Sequence, residues 1–189
     1  MAGNIVRGLA GGFLALALAA GPAEAGETAL RAGLSRGTKA STSFDLYLQH
    51  SFEPWQERAA YQFGPYANLG YTLWSGDLDK ADHPETATDQ IWGLVAALGL
   101  RFDWKAWEAA RPYLAFNVGP SYISGSDFLG REMGGGHYLF NLRASLGLRF
   151  GEEYRHNLGL DASHFSNAYT KSSNYGYNAV GLSYGYGFR

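Results

Sequence analysis

Strict alternation of large apolar residues with smaller or polar residues is the sequence feature that most constrains this fold. In segment 92–104 the even positions run from Trp92 to Trp104 and are apolar throughout, while the odd positions are mostly small or charged. Segments 140–150 and 176–188 repeat the pattern. A period of two is typical of a β-strand with one apolar face. The same alternation marks five further segments, which brings the predicted strands to eight: 30–35, 44–52, 66–74, 112–122 and 156–166.

The two faces of these segments differ in a way that favours a membrane barrel over a soluble sheet. One face holds large apolar groups with aromatics near its ends, and the other holds Gly, Ser, Asn and Arg. The exposed face of a soluble sandwich would be richer in Lys and Glu. Small and polar residues suit the crowded interior of a narrow barrel, and an apolar face edged by aromatics suits lipid. We therefore predict an all-β fold, an eight-stranded antiparallel transmembrane β-barrel of the bacterial outer membrane.

The first 25 residues have the organisation of a secretory signal peptide. Arg7 provides a basic start, and residues 9–20 form an apolar run that is too short to cross a bilayer as a helix. Pro22 breaks this run, and Ala23–Ala25 has the A-x-A form of a cleavage site. We predict a signal peptide over 1–25 and a single barrel domain over 26–189, exported to the outer membrane of a Gram-negative envelope. The alternative is a buried N-terminal helix.

Composition excludes several classes of partner and site. The chain has no cysteine, so it has neither disulfides nor thiolate metal ligands. Its formal net charge is -2, whereas a nucleic-acid binder usually has a strong basic excess. Four of the five histidines lack partners at metal-ligand spacing and are interpreted as interface or loop residues: His50, His83, His137 and His156.

A periplasmic N-terminus fixes which connections face outwards. The predicted extracellular connections are then rich in Gly, Ser, Asp and Asn, as loops should be, and they cover 36–42, 76–89, 125–137 and 167–175. The predicted periplasmic connections are 53–65, 105–111 and 151–155, of which the first is longer than expected.

The fifth histidine stands out by its position. His164 and Ser166 lie two residues apart in segment 156–166, so both belong to its apolar, lipid-facing side. This segment runs outward, which puts the pair near the extracellular end. A histidine among lipid-facing residues is costly unless it lies in the interfacial zone or has a function. From spacing alone, an incidental pair in the aromatic belt and a functional pair both remain open.

The sequence from His164 to Ala168 resembles the His-x-Ser-Asn-Ala-Gly signature of the PagL family, the lipid A 3-O-deacylases of Gram-negative outer membranes. The similarity extends over the predicted barrel, in Gly70–Gly76, at Pro112-Tyr113 and in 140–150. It implies an eight-stranded barrel with an active site on its outer wall. It also implies Ser166 as nucleophile, His164 as general base, and Asn167 as an oxyanion donor through its backbone or amide group.

The chain departs from this family at two positions. The family's triad acid lies fourteen residues after its histidine, where this sequence has Asn178, on the lipid-facing side of the last strand. Asn can orient an imidazole, but it stabilises imidazolium less well than a carboxylate. The second departure is Tyr169 in place of a family Gly that lets the backbone turn.

The resemblance implies a carboxylic ester hydrolase that removes an acyl chain from lipid A, most simply at the 3-O position, by serine-type chemistry. The expected partners are lipid A or lipopolysaccharide and outer-membrane lipid, with no nucleic acid. No metal or organic cofactor is implied. A homodimer is left open, because the sequence does not determine the oligomeric state. The alternative function is a non-catalytic small barrel, either structural or adhesive or a silent family member. A solute channel is disfavoured, because side chains fill the interior of an eight-stranded barrel.

Overall fold

Eight long strands dominate the structure, a computed structural model that describes residues 26–77, 88–105, 107–172 and 175–188. The predicted signal peptide at 1–25 lies outside the described residues. In chain order the long strands are β1 Glu27–Gly37, β2 Thr42–Ser51, β3 Tyr61–Ser75, β4 Gln90–Trp104, β5 Ala110–Ile123, β6 Tyr138–Phe150, β7 His156–Ser166 and β8 Tyr177–Phe188.

Each long strand pairs with its chain neighbours, and the first pairs with the last. All of the pairings are antiparallel, and β1 is hydrogen-bonded to both β2 and β8. Gly33 of β1, for example, lies opposite Asp45 of β2 and Ser183 of β8. The sheet therefore closes into an eight-stranded barrel, which leaves no unpaired edge among these strands. This confirms the fold class predicted from the alternation.

The two faces of the wall are those that the sequence predicts. Along β4, β6, β7 and β8 the even positions point outward and the odd positions inward. Leu98, for example, is 69% exposed, whereas its neighbour Ala97 is 5% exposed. Many large apolar side chains are exposed on the outer wall, among them Leu34, Leu114, Leu146, Leu160 and Leu182.

Ion pairs and hydrogen bonds fill the middle of the barrel. Arg143 is 2.8 Å from Asp45 and 3.6 Å from Asp161, measured from its guanidinium to their carboxylates. Arg31 lies 3.4 Å from Asp161, and the Arg143 guanidinium also donates to the hydroxyl of Tyr47 at 2.7 Å. All five side chains are buried. Opposite charges thus meet inside the barrel, where a lone charge would be costly.

An apolar cluster closes the interior at the end of the barrel where β7 ends, which we call the site end. Trp74 packs edge-on against Phe165 of β7 and Tyr177 of β8, with ring centroids 4.8 Å and 5.4 Å apart. The connection between β5 and β6 folds inward and adds Phe128 and Met133, both buried. Phe165 and Tyr177 are the inward-facing neighbours of His164 and Asn178 on β7 and β8. The apolar cluster therefore packs against the inner face of the wall at the point where these two residues face outward.

The predicted connection 53–65 is wrong at its C-terminal end. β3 begins at Tyr61, and a two-residue strand, Gln56–Glu57, pairs with Gln62 and Phe63. Much of the segment interpreted as a long loop is therefore an extension of the sheet. Short 3-10 turns follow β1 and β6, at Thr38–Ala40 and Glu152–Tyr154. In the described part of the chain, no helix has the length and apolar character needed to span a membrane.

Candidate active site

His164 and Ser166 lie at the end of β7, on the outward face. His164 is opposite Leu142 of β6 and Asn178 of β8, and Ser166 is opposite Phe140 of β6. Both side chains are half-buried. The regular strand geometry therefore brings the two predicted groups to the same side of the wall, next to apolar neighbours.

The His164 ring contacts Asn178 directly. Its Nδ1 atom lies 2.8 Å from the Asn178 Oδ1 atom. An amide oxygen only accepts hydrogen bonds, so this contact requires the proton of the neutral imidazole to sit on Nδ1. Nε2 then carries the lone pair that a general base needs. The contact predicted from the sequence is thus present, while the catalytic roles of His164 and Asn178 stay predictions.

Thr38, which sequence reasoning missed, holds Asn178 from the opposite side. The backbone N–H of Asn178 donates to the Thr38 hydroxyl at 3.0 Å, and that hydroxyl donates to the Asn178 carbonyl at 3.3 Å. Thr38 opens the turn after β1, and the closure of the barrel brings it beside β8. The separation of 140 residues in sequence explains why no local pattern indicated the contact.

Gly176, just before β8, makes room for the histidine ring. Its φ is +63°, and a Cβ atom there would lie 3.1 Å from His164 Cε1 and 3.0 Å from the Phe165 carbonyl. A side chain would therefore meet both an unfavourable backbone conformation and the ring. Sequence reasoning also missed this residue.

Asn167 turns its side chain away from Ser166. The side chain is on the inner side of the wall, with the residue 1% exposed, and its Nδ2 atom donates to the Gly134 carbonyl at 2.8 Å. Its Oδ1 atom accepts from the backbone N–H of Tyr169 at 2.9 Å. The amide group therefore anchors two connections of the barrel to each other. An oxyanion role for Asn167 stays a prediction, and in this geometry it concerns the backbone N–H.

The backbone after the serine is left-handed at two consecutive residues. Ala168 has φ 51° and Tyr169 has φ 61°. A left-handed conformation is unfavourable for residues with a Cβ atom and natural for glycine. The position at which the resemblance calls for Gly is thus one where glycine would be less strained than Tyr169.

The other histidines within the described residues have local contacts. His50 hydrogen-bonds Thr28 at 2.9 Å, His137 the Ile123 carbonyl at 2.8 Å, and His156 the Tyr184 hydroxyl at 2.7 Å. His83 lies outside the described residues. In the portion of the chain that the structure describes, no group of three or more His, Asp or Glu side chains could hold a metal.

The sequence profile of the family "Lipid A 3-O-deacylase (PagL)" matches residues 36–187. A comparison with curated proteins found no significant match.

Three solved structures share the barrel. The crystal structure of the outer membrane enzyme PagL superposes with a TM-score of 0.71 at 21% identity, covering 84% of this chain and 98% of PagL. Neisserial surface protein A superposes with a TM-score of 0.52 at 11% identity, covering 86% and 97%. A designed transmembrane β-barrel gives 0.50 at 12% identity, covering 88% and 98%. At these identities the structures establish the fold, and the family match establishes descent. The chain therefore belongs to the PagL family of lipid A 3-O-deacylases and has the fold of an outer-membrane β-barrel.

Proposed function

We propose that this protein is a catalytically active lipid A deacylase, which hydrolyses the 3-O ester-linked acyl chain of lipid A with Ser166 as nucleophile. The observation that carries the proposal is the contact between His164 Nδ1 and Asn178 Oδ1 at 2.8 Å, beside Ser166 on an apolar outer wall. A base held in the right tautomer next to a serine is the arrangement that acyl transfer requires.

In the first half-reaction the Ser166 hydroxyl attacks the ester carbonyl of the acyl chain. Nε2 of His164 takes the serine proton as the bond forms, which gives a tetrahedral intermediate and an imidazolium ion. The intermediate collapses when the C–O bond to the sugar breaks, and the imidazolium returns its proton to the sugar oxygen. The products are a free sugar hydroxyl and an acyl group bound to Ser166.

In the second half-reaction a water molecule attacks the acyl-enzyme. His164 takes a proton from that water and then gives it to the Ser166 oxygen, so a fatty acid leaves and the serine is restored. Each half-reaction passes through a tetrahedral intermediate with a negatively charged oxygen. That oxygen needs hydrogen-bond donors that are already in place before the reaction. The backbone N–H of Asn167 is the proposed donor, because the amide side chain faces the interior.

A site on the outer wall suits a substrate that is itself a membrane lipid. Phe140 and Leu142 flank the pair on β6, and both are exposed. The acyl chains of lipid A can lie against this apolar surface without leaving the membrane. We propose that the site end faces the outer leaflet, and that residues 1–25 are the export signal removed from the mature protein.

One feature favours the alternative, a barrel that has lost activity. Asn178 is neutral, so it orients the ring of His164 without offsetting the positive charge that the ring gains during attack. A silent barrel would fold and insert normally but leave lipid A unchanged.

Lipid A mass spectrometry separates the two functions. Gram-negative cells producing the wild type should yield lipid A that has lost the mass of one hydroxyacyl chain, relative to cells without the protein. Ser166→Ala should restore the original lipid A. Ser163→Ala is the matched control, because Ser163 lies on the same strand with the opposite parity. Unmodified lipid A in cells with folded wild type in the outer membrane would favour the silent barrel.

A further inference from the structure

One arginine stands apart on the outer wall. Among the outward-facing residues of the eight described strands, Arg36 is the only one with a permanently charged side chain, and it is exposed. A cation on the lipid-facing side of a barrel is unfavourable, most strongly at the bilayer centre and less so near its interfaces. Such a residue calls for a function or a binding partner.

Arg36 lies close to the candidate active site. It is opposite Val180 of β8, which is in turn opposite Ala162 of β7. These three residues form the row next to the one that contains His164 and Asn178. From strand geometry, the Arg36 backbone is about 7 Å from that row along the strand and about 10 Å from β7 across the sheet. A long arginine side chain spans much of this distance.

Arg36 differs from the interior arginines and from two lysines at the site end, because among the described residues its side chain makes no hydrogen bond or ion pair. The interior arginines Arg31, Arg101, Arg143 and Arg149 each meet a carboxylate. At the site end, Lys39 donates to the Leu129 carbonyl at 2.6 Å, and Lys171 donates to the Gly135 carbonyl. Within the described ranges, no carboxylate lies within ion-pair distance of Arg36.

We infer that Arg36 binds a phosphate group of lipid A and thereby positions the substrate over Ser166. This inference rests on the proposed function and adds a substrate-binding residue to it. Each glucosamine of lipid A carries a phosphate as well as acyl chains, so the sugar that is attacked brings a dianionic group close to the reacting ester. The planar guanidinium pairs with phosphate oxygens through two parallel hydrogen bonds. The phosphodiester of an ordinary phospholipid offers the same chemistry, and the experiment must distinguish the two sources.

The test compares phosphorylated with dephosphorylated lipid A as substrates of the purified, refolded protein in mixed micelles of constant phospholipid content. With phosphorylated lipid A, Arg36→Gln should raise KM about tenfold and leave kcat within about twofold, since a hydrogen bond to a charged group is lost. With lipid A stripped of its phosphates, wild type and Arg36→Gln should have the same KM. Arg36→Lys should recover part of the affinity. Arg58→Gln removes the same charge near the opposite end of the barrel and should change neither constant.

Two results would overturn the inference. If Arg36→Gln raised KM equally for both substrates, Arg36 would bind only phospholipid headgroups. If it changed KM for neither substrate, the Arg36 side chain would be solvated by water and would bind no phosphate. Binding is measured separately by native mass spectrometry in a Ser166→Ala background, with and without Arg36→Gln. Phosphate-dependent binding without turnover by the wild type would contradict the proposed function and retain the inference. Phosphate-dependent binding that is equally strong with and without Arg36→Gln would contradict the inference alone.

Discussion

At the scale of single residues, the candidate site depends on what Asn178 does to His164. The sequence predicted this contact, because both residues share the parity of the outer wall and lie on neighbouring strands. It could not predict Thr38, which is brought to Asn178 only when β1 closes the barrel. Nor could it show whether the backbone N–H or the side-chain amide of Asn167 is the candidate oxyanion donor. The direction of that side chain depends on its contact with the loop containing Gly134.

Asn178→Glu should increase activity on lipid A. A carboxylate would accept the same hydrogen bond from His164 Nδ1 and would also stabilise the imidazolium formed during attack. We expect kcat to rise by a factor of about ten or more. A tenfold rise corresponds to an activation free energy that is lower by about 1.4 kcal/mol. The rate of fatty-acid release measures it.

Asn178→Ala is the companion variant, because it removes the hydrogen bond without adding charge, and it should lower the rate. A folded Asn178→Glu protein with unchanged kcat would show that the site works as a dyad or takes its acid from elsewhere.

At the scale of elements, the connection from β7 to β8 determines the backbone conformation directly after Ser166. Asn167 fixes this connection from inside, while Ala168 and Tyr169 take left-handed backbone conformations. The comparison with the family signature indicated that Tyr169 replaces a glycine, and the backbone explains why glycine fits there. The inward-folded connection between β5 and β6, with Phe128 and Met133, was not predicted, because its residues lack the alternation by which strands are recognised.

Tyr169→Gly should stabilise the protein. The left-handed conformation costs a residue with a Cβ atom roughly 1 kcal/mol, and the greater freedom of glycine in the unfolded chain offsets part of the gain. We expect the free energy of unfolding to rise by about 0.5 kcal/mol in urea titrations of the protein in lipid vesicles. Tyr169→Ala removes the same side chain and keeps the backbone strain, so it should give no gain. An equal gain in both variants would assign the effect to the side chain.

At the scale of the whole molecule, the barrel is apolar outside and ionic inside. The sequence predicted both faces, because alternation with a period of two allows only two registers and the residue types identify each face. It could not predict which charges pair. Asp45 and Arg143 are 98 residues apart, and only the order and stagger of the strands bring them together.

Arg143→Met should destabilise the barrel strongly, because it leaves the buried carboxylates of Asp45 and Asp161 without their shared cation. Removal of one partner from a buried pair costs about 3–5 kcal/mol. Urea unfolding in vesicles measures this loss. Arg36→Met is the matched control, since it removes an arginine from the outer wall and should not lower the free energy of unfolding. A loss in Arg36→Met as large as the loss in Arg143→Met would mean that the destabilisation does not come from the interior ion pairs.

The central claim is that Ser166, activated by His164, cleaves an ester of lipid A. The measurement that tests it most directly is fatty-acid release from lipid A by the purified, refolded protein, with Ser166→Ala, His164→Ala and Ser163→Ala compared under the same conditions. We expect release of one hydroxy fatty acid per lipid A by the wild type and by Ser163→Ala, and none by the other two folded variants. Equal release by Ser166→Ala, or no release by folded wild type, would contradict it.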